Sequence, residues 1–410
     1  MYPGINGLRL WGSLMEMAEI GATPKGGVCR LALSDVDKAA RDLFVDWCEQ
    51  AALSVRVDEL GNIFARRDGL EPTAAPVLTG SHLDSQPLGG KFDGAYGVMA
   101  GLEVIRTLND AGIKTRRPID LVVWTNEEGS RFPAGCMGSS IFAGRREQRA
   151  MLDMTDGDGL SVRQELARIG YNGAERCGGF APAALFEAHI EQGPILERDG
   201  RTIGVVTGAQ GLRCFRVHVK GAEGHAGTLP MTERRDAFQG AARMAVAIDD
   251  LACRFAPPAV ITIGVVAVGP GARSTVPGTT SFSIDCRCPD ERGLVQLEEH
   301  IRDICRDIAD ARQLELEIEA ISSIPPVMFE AGCIAAIRNA SSELGYSHRD
   351  IASGAGHDAC HISTIAPTGM IFVPCADGIS HNEAESATTE DLAAGCQVLL
   401  HVVSSCANTA

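Results

Sequence analysis

Five residues in this chain of 410 have the types and surroundings that transition-metal chemistry needs: His82, Asp93, Glu128, His189 and His381. Each stands at, or just past, the end of a stretch that reads as a strand. Imidazole and carboxylate together suit Zn²⁺, Mn²⁺, Co²⁺ or Ni²⁺, and ligand type alone does not choose among them. Five protein ligands are too many for one open catalytic ion. They fit two divalent ions held roughly 3.5–4 Å apart with a water between them. Asp93, short and followed by glycine, is the best candidate for the shared carboxylate. Asp84, two residues after His82, is expected to accept the second ring N–H of His82 and so fix its tautomer.

Glu127 sits directly before Glu128, and neighbouring side chains on continued strand geometry point opposite ways. One can bind metal while the other reaches the water as general base. A solvated turn is the commoner fate of a Glu pair, but here the pair follows a buried strand. Three further groups carry two readings each. His225, in Gly224-His225-Ala226-Gly227, is either a donor to a developing oxyanion or a surface histidine, and the residues alone favour the surface. Arg287 is either a bidentate carboxylate clamp or the partner of Asp285. His357 and Asp358 either orient substrate or cap a helix. No GxSxG, Walker A or strand-linked GxGxxG is present, so serine-hydrolase, P-loop and dinucleotide chemistry have no anchor.

The elements that must position these groups follow an α/β order. Pro76 to Thr79 reads as a buried strand leading into GSHLDSQPLGGKFDG. A helix then places Val98, Leu102, Ile105 and Leu108 on one face, and Ile119 to Thr125 is a strand covered on both sides. Strand, long connection, strand is the mark of a parallel crossover unit. Open α/β sheets place ligands at the carboxyl ends of such strands. Earlier, Ser34 with Asp37 three residues on predicts a helix start. Phe186 to Ile190 is a further strand. From residue 209 the order becomes strand (214–220), helix (234–255), strand (259–268), strand (280–286), helix (291–312), strand (314–321). That β-α-β-β-α-β order is the split βαβ, ferredoxin-like pattern. The expected organisation is a mostly parallel catalytic domain in two parts, 1–208 and 325–410, around an inserted domain at 209–324.

Length alone favours two domains. A hydrophobic content of 45% with 22% charged residues is that of an ordinary globular chain. The net charge of -16 argues against nucleic-acid or anionic-membrane partners. Fourteen cysteines without a CxxC pair read as reduced thiols. The first twenty residues lack the pattern of an export signal, and no apolar run is long enough to span a bilayer. The expectation is a cytoplasmic protein acting on a small molecule.

Taken together, GSHLDSQPLGGKFDGAYGVMAG, TNEEGSRF, HIEQGP, GHAGTLPM, SGAGHDA and DGISHNEAE resemble the hydantoinase/carbamoylase group of the M20-type metallohydrolases. The similarity covers nearly the whole chain, and HIEQGP with GSHLDS separates this group from M20 peptidases at large. The resemblance implies a di-metal catalytic domain and an inserted lid that also forms a homodimer. It implies His82, Asp93, Glu128, His189 and His381 as ligands, Asp93 bridging, and Glu127 as general base. It further implies substrate contacts by Gln192, by His225 on the scissile carbonyl oxygen and by Arg287 on a carboxylate. One position departs from the group: Ser274 stands where Asn is usual, which bears on substrate preference. The implied reaction is hydrolysis of the carbamoyl C–N bond of an N-carbamoyl-L-amino acid. Allantoate or N-carbamoyl-β-alanine are the alternative substrates. An M20 aminoacylase or peptidase, or a catalytically silent binding protein, fits the motifs less well.

Overall fold

Four strands with every residue buried form the centre of the larger sheet: Val77–His82, Ile119–Trp124, Ala184–Ile190 and Thr368–Val373. Their near-continuous apolar runs leave no solvent face, as parallel sheets covered on both sides require. Val77–His82 pairs in parallel with Ile119–Trp124 on one side and Ala184–Ile190 on the other. Thr368–Val373 extends the parallel set beyond Ala184–Ile190. The computed structural model describes residues 2–255 and 259–409.

The chain divides into two compact units, Met1–Thr207 with Met328–Ala410, and Gly208–Val327. In the first unit the parallel centre is flanked by antiparallel additions. Ile63–Arg67 and Ser54–Val57 continue it past Ile119–Trp124, and Ile203–Ala209 lies against Thr368–Val373. The fold is therefore mixed α/β with a parallel core. The helix Ala95–Asp110 packs on Val77–His82 and against the C-terminal helix Thr389–Asn408, where Tyr96 Oη donates to Leu392 O at 2.8 Å. Val98, Leu102, Ile105 and Leu108 are fully buried on that helix, each contributing about 1.5–3 kcal/mol over exposure. The Ser34 cap forms as expected, its side chain accepting from Asp37 N.

The second unit is antiparallel throughout its main sheet. Spatial order runs Val266–Gly269, Thr279–Cys288, Gly211–Lys220, Glu315–Ile324. Helices Ala237–Arg254 and Glu291–Ala311 supply Met244, Ile248, Ile301 and Cys305 to a core with Phe215, Val217, Val219 and Ile284. The single strand expected over 259–268 is two, Val260–Thr262 and Val266–Gly269, both pairing with Thr279–Cys288. The break falls where Gly264 interrupts the run and Val265 instead bonds Ser283, its amide donating to Ser283 Oγ and its carbonyl accepting from Ser283 N.

Candidate metal centre

The Asp93 carboxylate is where the expected ligands meet. Its Oδ1 lies 3.3 Å from His189 Nε2 and 3.6 Å from His82 Nε2. Its Oδ2 lies 3.3 Å from His381 Nε2, which in turn stands 3.3 Å from Glu128 Oε2. Two donor sets result, His82–Asp93–His189 and Asp93–Glu128–His381, with ligand atoms in each within 4.8 Å of one another. The structure thus brings all five residues together, with one Asp93 oxygen facing each set. All five lie at or beyond the carboxyl ends of the four central strands.

Each donor is held from behind. His82 Nδ1 is 2.9 Å from Asp84 O, and His189 Nδ1 is 2.9 Å from Ile190 O. A backbone carbonyl can only accept, so both rings carry a proton on Nδ1 and turn Nε2 toward Asp93. This corrects the expected part of Asp84. Its backbone carbonyl, not its carboxylate, fixes the His82 tautomer; Asp84 Oδ1 is 3.9 Å from the ring. The carboxylate instead accepts from the amides of Glu127 and Glu128, both at 3.2 Å, and so shapes the loop that carries the Glu pair. Glu128 is steadied by Gln86, whose Nε2 donates at 2.7 Å.

The loop at Asp93 needs two glycines. Gly94 has φ 63° and ψ −50°, and a Cβ there would fall 2.3 Å from the His82 ring. At Gly90 a Cβ would fall 2.0 Å from Glu385 Cδ. Glu385 accepts from Phe92 N at 2.8 Å and Asp93 N at 3.1 Å, and its Oε2 lies 3.1 Å from Ser380 Oγ. Gln192 Nε2 donates to Asp93 Oδ2 at 2.8 Å, and Ser380 Oγ, with one proton to place between Glu385 and Asp93, lies 3.0 Å from the same oxygen. Four non-glycine residues around the centre, Asn126, Cys136, Gln192 and His381, have φ between 51° and 58°. Such strain persists where surrounding structure over-determines it, commonly at functional sites.

Burial pushes the Glu127 carboxyl well above the usual carboxylate range, against the pull of nearby His82. Asp93 is the reverse: burial would raise it, but hydrogen bonds with His189, His381 and His82 hold it well below its ordinary value. Burial would depress His82, yet Glu127, Asp93 and Asp84 together raise it. Among the described residues no Lys or Arg nitrogen pairs with Asp93, Glu127 or Glu128; their charged neighbours are the histidines. Buried carboxylates and imidazole nitrogens converging on one point, with no Lys or Arg among them, form a donor set suited to cations. The donor set therefore fits divalent metal ions.

Glu127 Oε2 is 3.6 Å from His82 Nε2, on the edge of the centre. Gln192 borders the centre through its bond to Asp93. His357 is only 3% exposed, bonded through Nε2 to Ser353 Oγ and packed edge-on to the His189 ring with centroids 4.7 Å apart. It forms the wall behind His189. In the second unit, His225 and Ser274 are neighbours: Gly224–His225 pairs with Thr275–Val276, and Ala226 N donates to Ser274 O at 3.0 Å. His225 Nδ1 accepts from Gly227 N and Thr228 N, which leaves the ring proton on Nε2 as a donor. Arg287 Nε donates to Asp285 Oδ1 at 3.0 Å.

Several supporting groups escape the sequence reading. Glu187 accepts from Ser81 Oγ at 2.6 Å and groups with His189 and His357. Its signal is a carboxylate two places before His189 within a buried strand, hence on the same face. Glu385 and Ser380 lie near His381 in DGISHNEAE but carry no spacing rule of their own. Asp358, which the sequence reading does single out beside His357, accepts from Ser139 Oγ, and burial lifts its carboxyl to about 8.

Comparison with known proteins accords with this geometry. Residues 78–405 match the family described as Peptidase family M20/M25/M40. An N-carbamoyl-L-amino-acid amidohydrolase of Rhizobium meliloti is 45% identical over 97% of this chain and 96% of its own. A ureidoglycolate hydrolase of Arabidopsis thaliana is 35% identical over 94% of this chain and 83% of its own. The crystal structure of an amidase of the hydantoinase/carbamoylase family from Burkholderia multivorans superposes with a TM-score of 0.96, at 52% identity, covering 99% of both chains. With its parallel-centred sheet and His–carboxylate cluster at the strand ends, the chain belongs to the M20/M25/M40 peptidase family, within its hydantoinase/carbamoylase branch.

Proposed function

We propose that this protein is a metal-dependent amidohydrolase that cleaves the carbamoyl C–N bond of N-carbamoyl-L-amino acids. The products are the amino acid, ammonia and carbon dioxide. The observation that carries the reading is the divided Asp93 carboxylate, one oxygen toward His82 and His189 and the other toward His381, with Glu127 beside it. It is supported by the Rhizobium meliloti relative, similar along nearly the whole chain.

In this reading His82, His189 and Asp93 would hold one divalent ion, and Glu128, His381 and the same Asp93 would hold a second. Ions there supply Lewis acidity, lowering the pKa of water and polarising the substrate carbonyl. Glu127 takes a proton from the attacking water at Oε2 and returns it to the departing nitrogen, the work of a carboxyl held above the ordinary carboxylate range by burial. Gln192 borders the amino-acid end of the substrate. His225 Nε2–H donates to the oxygen on which negative charge develops, and Arg287, oriented by Asp285, binds the substrate carboxylate. Ser274, beside His225, sets preference where the group usually carries Asn. The strand order of residues 208–327 supports reading that unit as ferredoxin-like, and its reading as a lid and dimerisation domain rests on the resemblance to the group.

The similarity to the ureidoglycolate hydrolase of Arabidopsis thaliana favours one second reading, a ureido acid without an α-amino acid product. A panel of N-carbamoyl-L-amino acids, N-carbamoyl-β-alanine, allantoate and ureidoglycolate separates the two. Protein reconstituted with Mn²⁺, Co²⁺, Zn²⁺ or Ni²⁺ is expected to release ammonia fastest from an N-carbamoyl-L-amino acid. Turnover confined to allantoate or ureidoglycolate overturns the first reading.

A further inference from the structure

The loop from Thr125 to Gly138 folds back on itself directly behind Glu127. Gly138 N donates to Thr125 O, Met137 N to Asn126 O, and Cys136 N to Glu127 O at 2.9, 3.2 and 2.7 Å. This short ladder sets Cys136 opposite Glu127 and forces it to φ 51° and ψ 38°, a left-handed conformation unusual for a non-glycine residue. Its side chain is 9% exposed and its Sγ lies 3.1 Å from Glu127 Oε1. The other oxygen, Oε2, is the one 3.6 Å from His82 Nε2.

We infer that Cys136 is a positioning residue: its S–H donates to Glu127 Oε1 and so turns Oε2 toward the metal centre. A glutamate side chain has three rotatable bonds, and one anchored oxygen removes most of that freedom. Two features make a thiol suitable here. Burial, with Glu127 and Asp358 close by, keeps the proton on sulfur, so the group is a donor. Sulfur is also a weak donor and acceptor, so it holds the carboxylate without competing strongly for the proton that Glu127 must accept and release. The backbone strain at Cys136 is the counterpart of this placement, since the left-handed conformation is what aims Cβ at Glu127.

The inference rests on Glu127 acting as the general base of the proposed reaction, and its test separates the two. Cys136→Ala removes the donor, and Cys136→Ser restores one on nearly the same atoms. Steady-state kinetics on the best carbamoyl substrate are expected to show kcat lower by about tenfold in Cys136→Ala, the low end for losing a hydrogen bond to a charged group. KM and bound metal stay as in the unaltered protein, and Cys136→Ser recovers most of the loss. An independent readout needs no substrate and no Cys136 variant. The infrared S–H stretch of the protein, compared with that of Glu127→Ala, is expected to contain one band at lower wavenumber that moves up when the carboxylate is gone. Unchanged kcat in Cys136→Ala, an equal loss in Cys136→Ser, or an S–H spectrum insensitive to Glu127→Ala each overturns the inference. Inactivity of the unaltered metal-loaded protein on every carbamoyl and ureido substrate overturns the proposed reaction and leaves the S–H result to judge the contact.

Discussion

Replacing Gly94 by alanine tests whether backbone crowding at the Asp93 loop is what seats His82. The new Cβ would meet His82 Cε1 at 2.3 Å and both ring nitrogens at 2.4 Å. Ordinary carbon contacts are about 3.5–4.0 Å, so ring and loop must separate by about 1 Å. His82 is 2% exposed and tied to Asp84 O, so its ring moves only at the cost of that contact. Overpacking of this kind costs about 1–3 kcal/mol. The backbone at φ 63° and ψ −50° is a strained γ-turn geometry that adds about 1–3 kcal/mol for a residue with a Cβ. Gly112 supplies the control: its φ is 62°, and nothing lies within 4 Å of an added Cβ. Gly112→Ala therefore carries positive-φ strain without a collision, and the difference between the variants reports the collision with His82 together with the extra strain of the Gly94 turn. Denaturant unfolding of the metal-free proteins is expected to place Gly94→Ala below Gly112→Ala by about 1–3 kcal/mol. Titration calorimetry with Zn²⁺ or Mn²⁺ is expected to show at least about tenfold weaker binding for Gly94→Ala, as for other losses of ligand support, and no weakening for Gly112→Ala. Equal stability and equal metal affinity in the two variants would refute the reasoning.

Three further outcomes are expected. Asp84→Asn replaces one acceptor facing the Glu127 and Glu128 amides with an N–H, and metal affinity falls about 10–100-fold; unchanged affinity in the same titration would show that the loop does not depend on this carboxylate. Glu385→Leu leaves the Phe92 and Asp93 amides without their acceptor. It is expected to lower both stability and metal content, measured by unfolding and by atomic absorption, whereas Ser380→Ala, which removes the one hydroxyl between Glu385 and Asp93, costs less. Arg131 pairs with Glu165 and Asp156, and Arg168 first, then Arg131, holds Glu165 below its ordinary range despite burial. A depressed folded pKa stabilises the protein above the unfolded carboxylate value of about 4.3 and is lost as pH falls through the lower folded value. Arg131→Met is therefore expected to raise the midpoint of acid unfolding, with a loss near neutrality smaller than the ~3–5 kcal/mol of a fully broken buried pair, because Arg168 remains.

Much of the centre is legible in the sequence because its residues sit at the ends of strands that announce themselves. IDLVVWT ends in the Glu pair, and the run before GSHLDS ends in His82. A buried strand has few options for where its first polar residue goes, so ligands declare themselves there. The supports are harder to read. That the Asp84 carbonyl rather than its carboxylate meets His82 is a matter of how the chain turns after the strand, which residue types do not encode. Cys136 lies nine residues from Glu127, and Glu385 lies 292 residues from Asp93. No spacing rule reaches across either interval, so tertiary closure alone sets both partnerships. The strands Ile203–Ala209 and His348–Ser353 also escape the sequence reading, because Gly and polar residues interrupt their apolar pattern.

The most direct test of the central claim compares the metal-loaded protein with Glu127→Gln, following ammonia release from N-carbamoyl-L-amino acids. Glutamine keeps the size of the side chain and cannot take up the proton. The account predicts metal-dependent turnover by the unaltered protein, lost on chelation and restored by divalent metal. It predicts that Glu127→Gln binds the same amount of metal while its kcat falls by at least about 10²–10⁴-fold, the contribution of a general base. Near-unaltered turnover by Glu127→Gln with metal bound, or turnover that survives complete removal of metal, would contradict it.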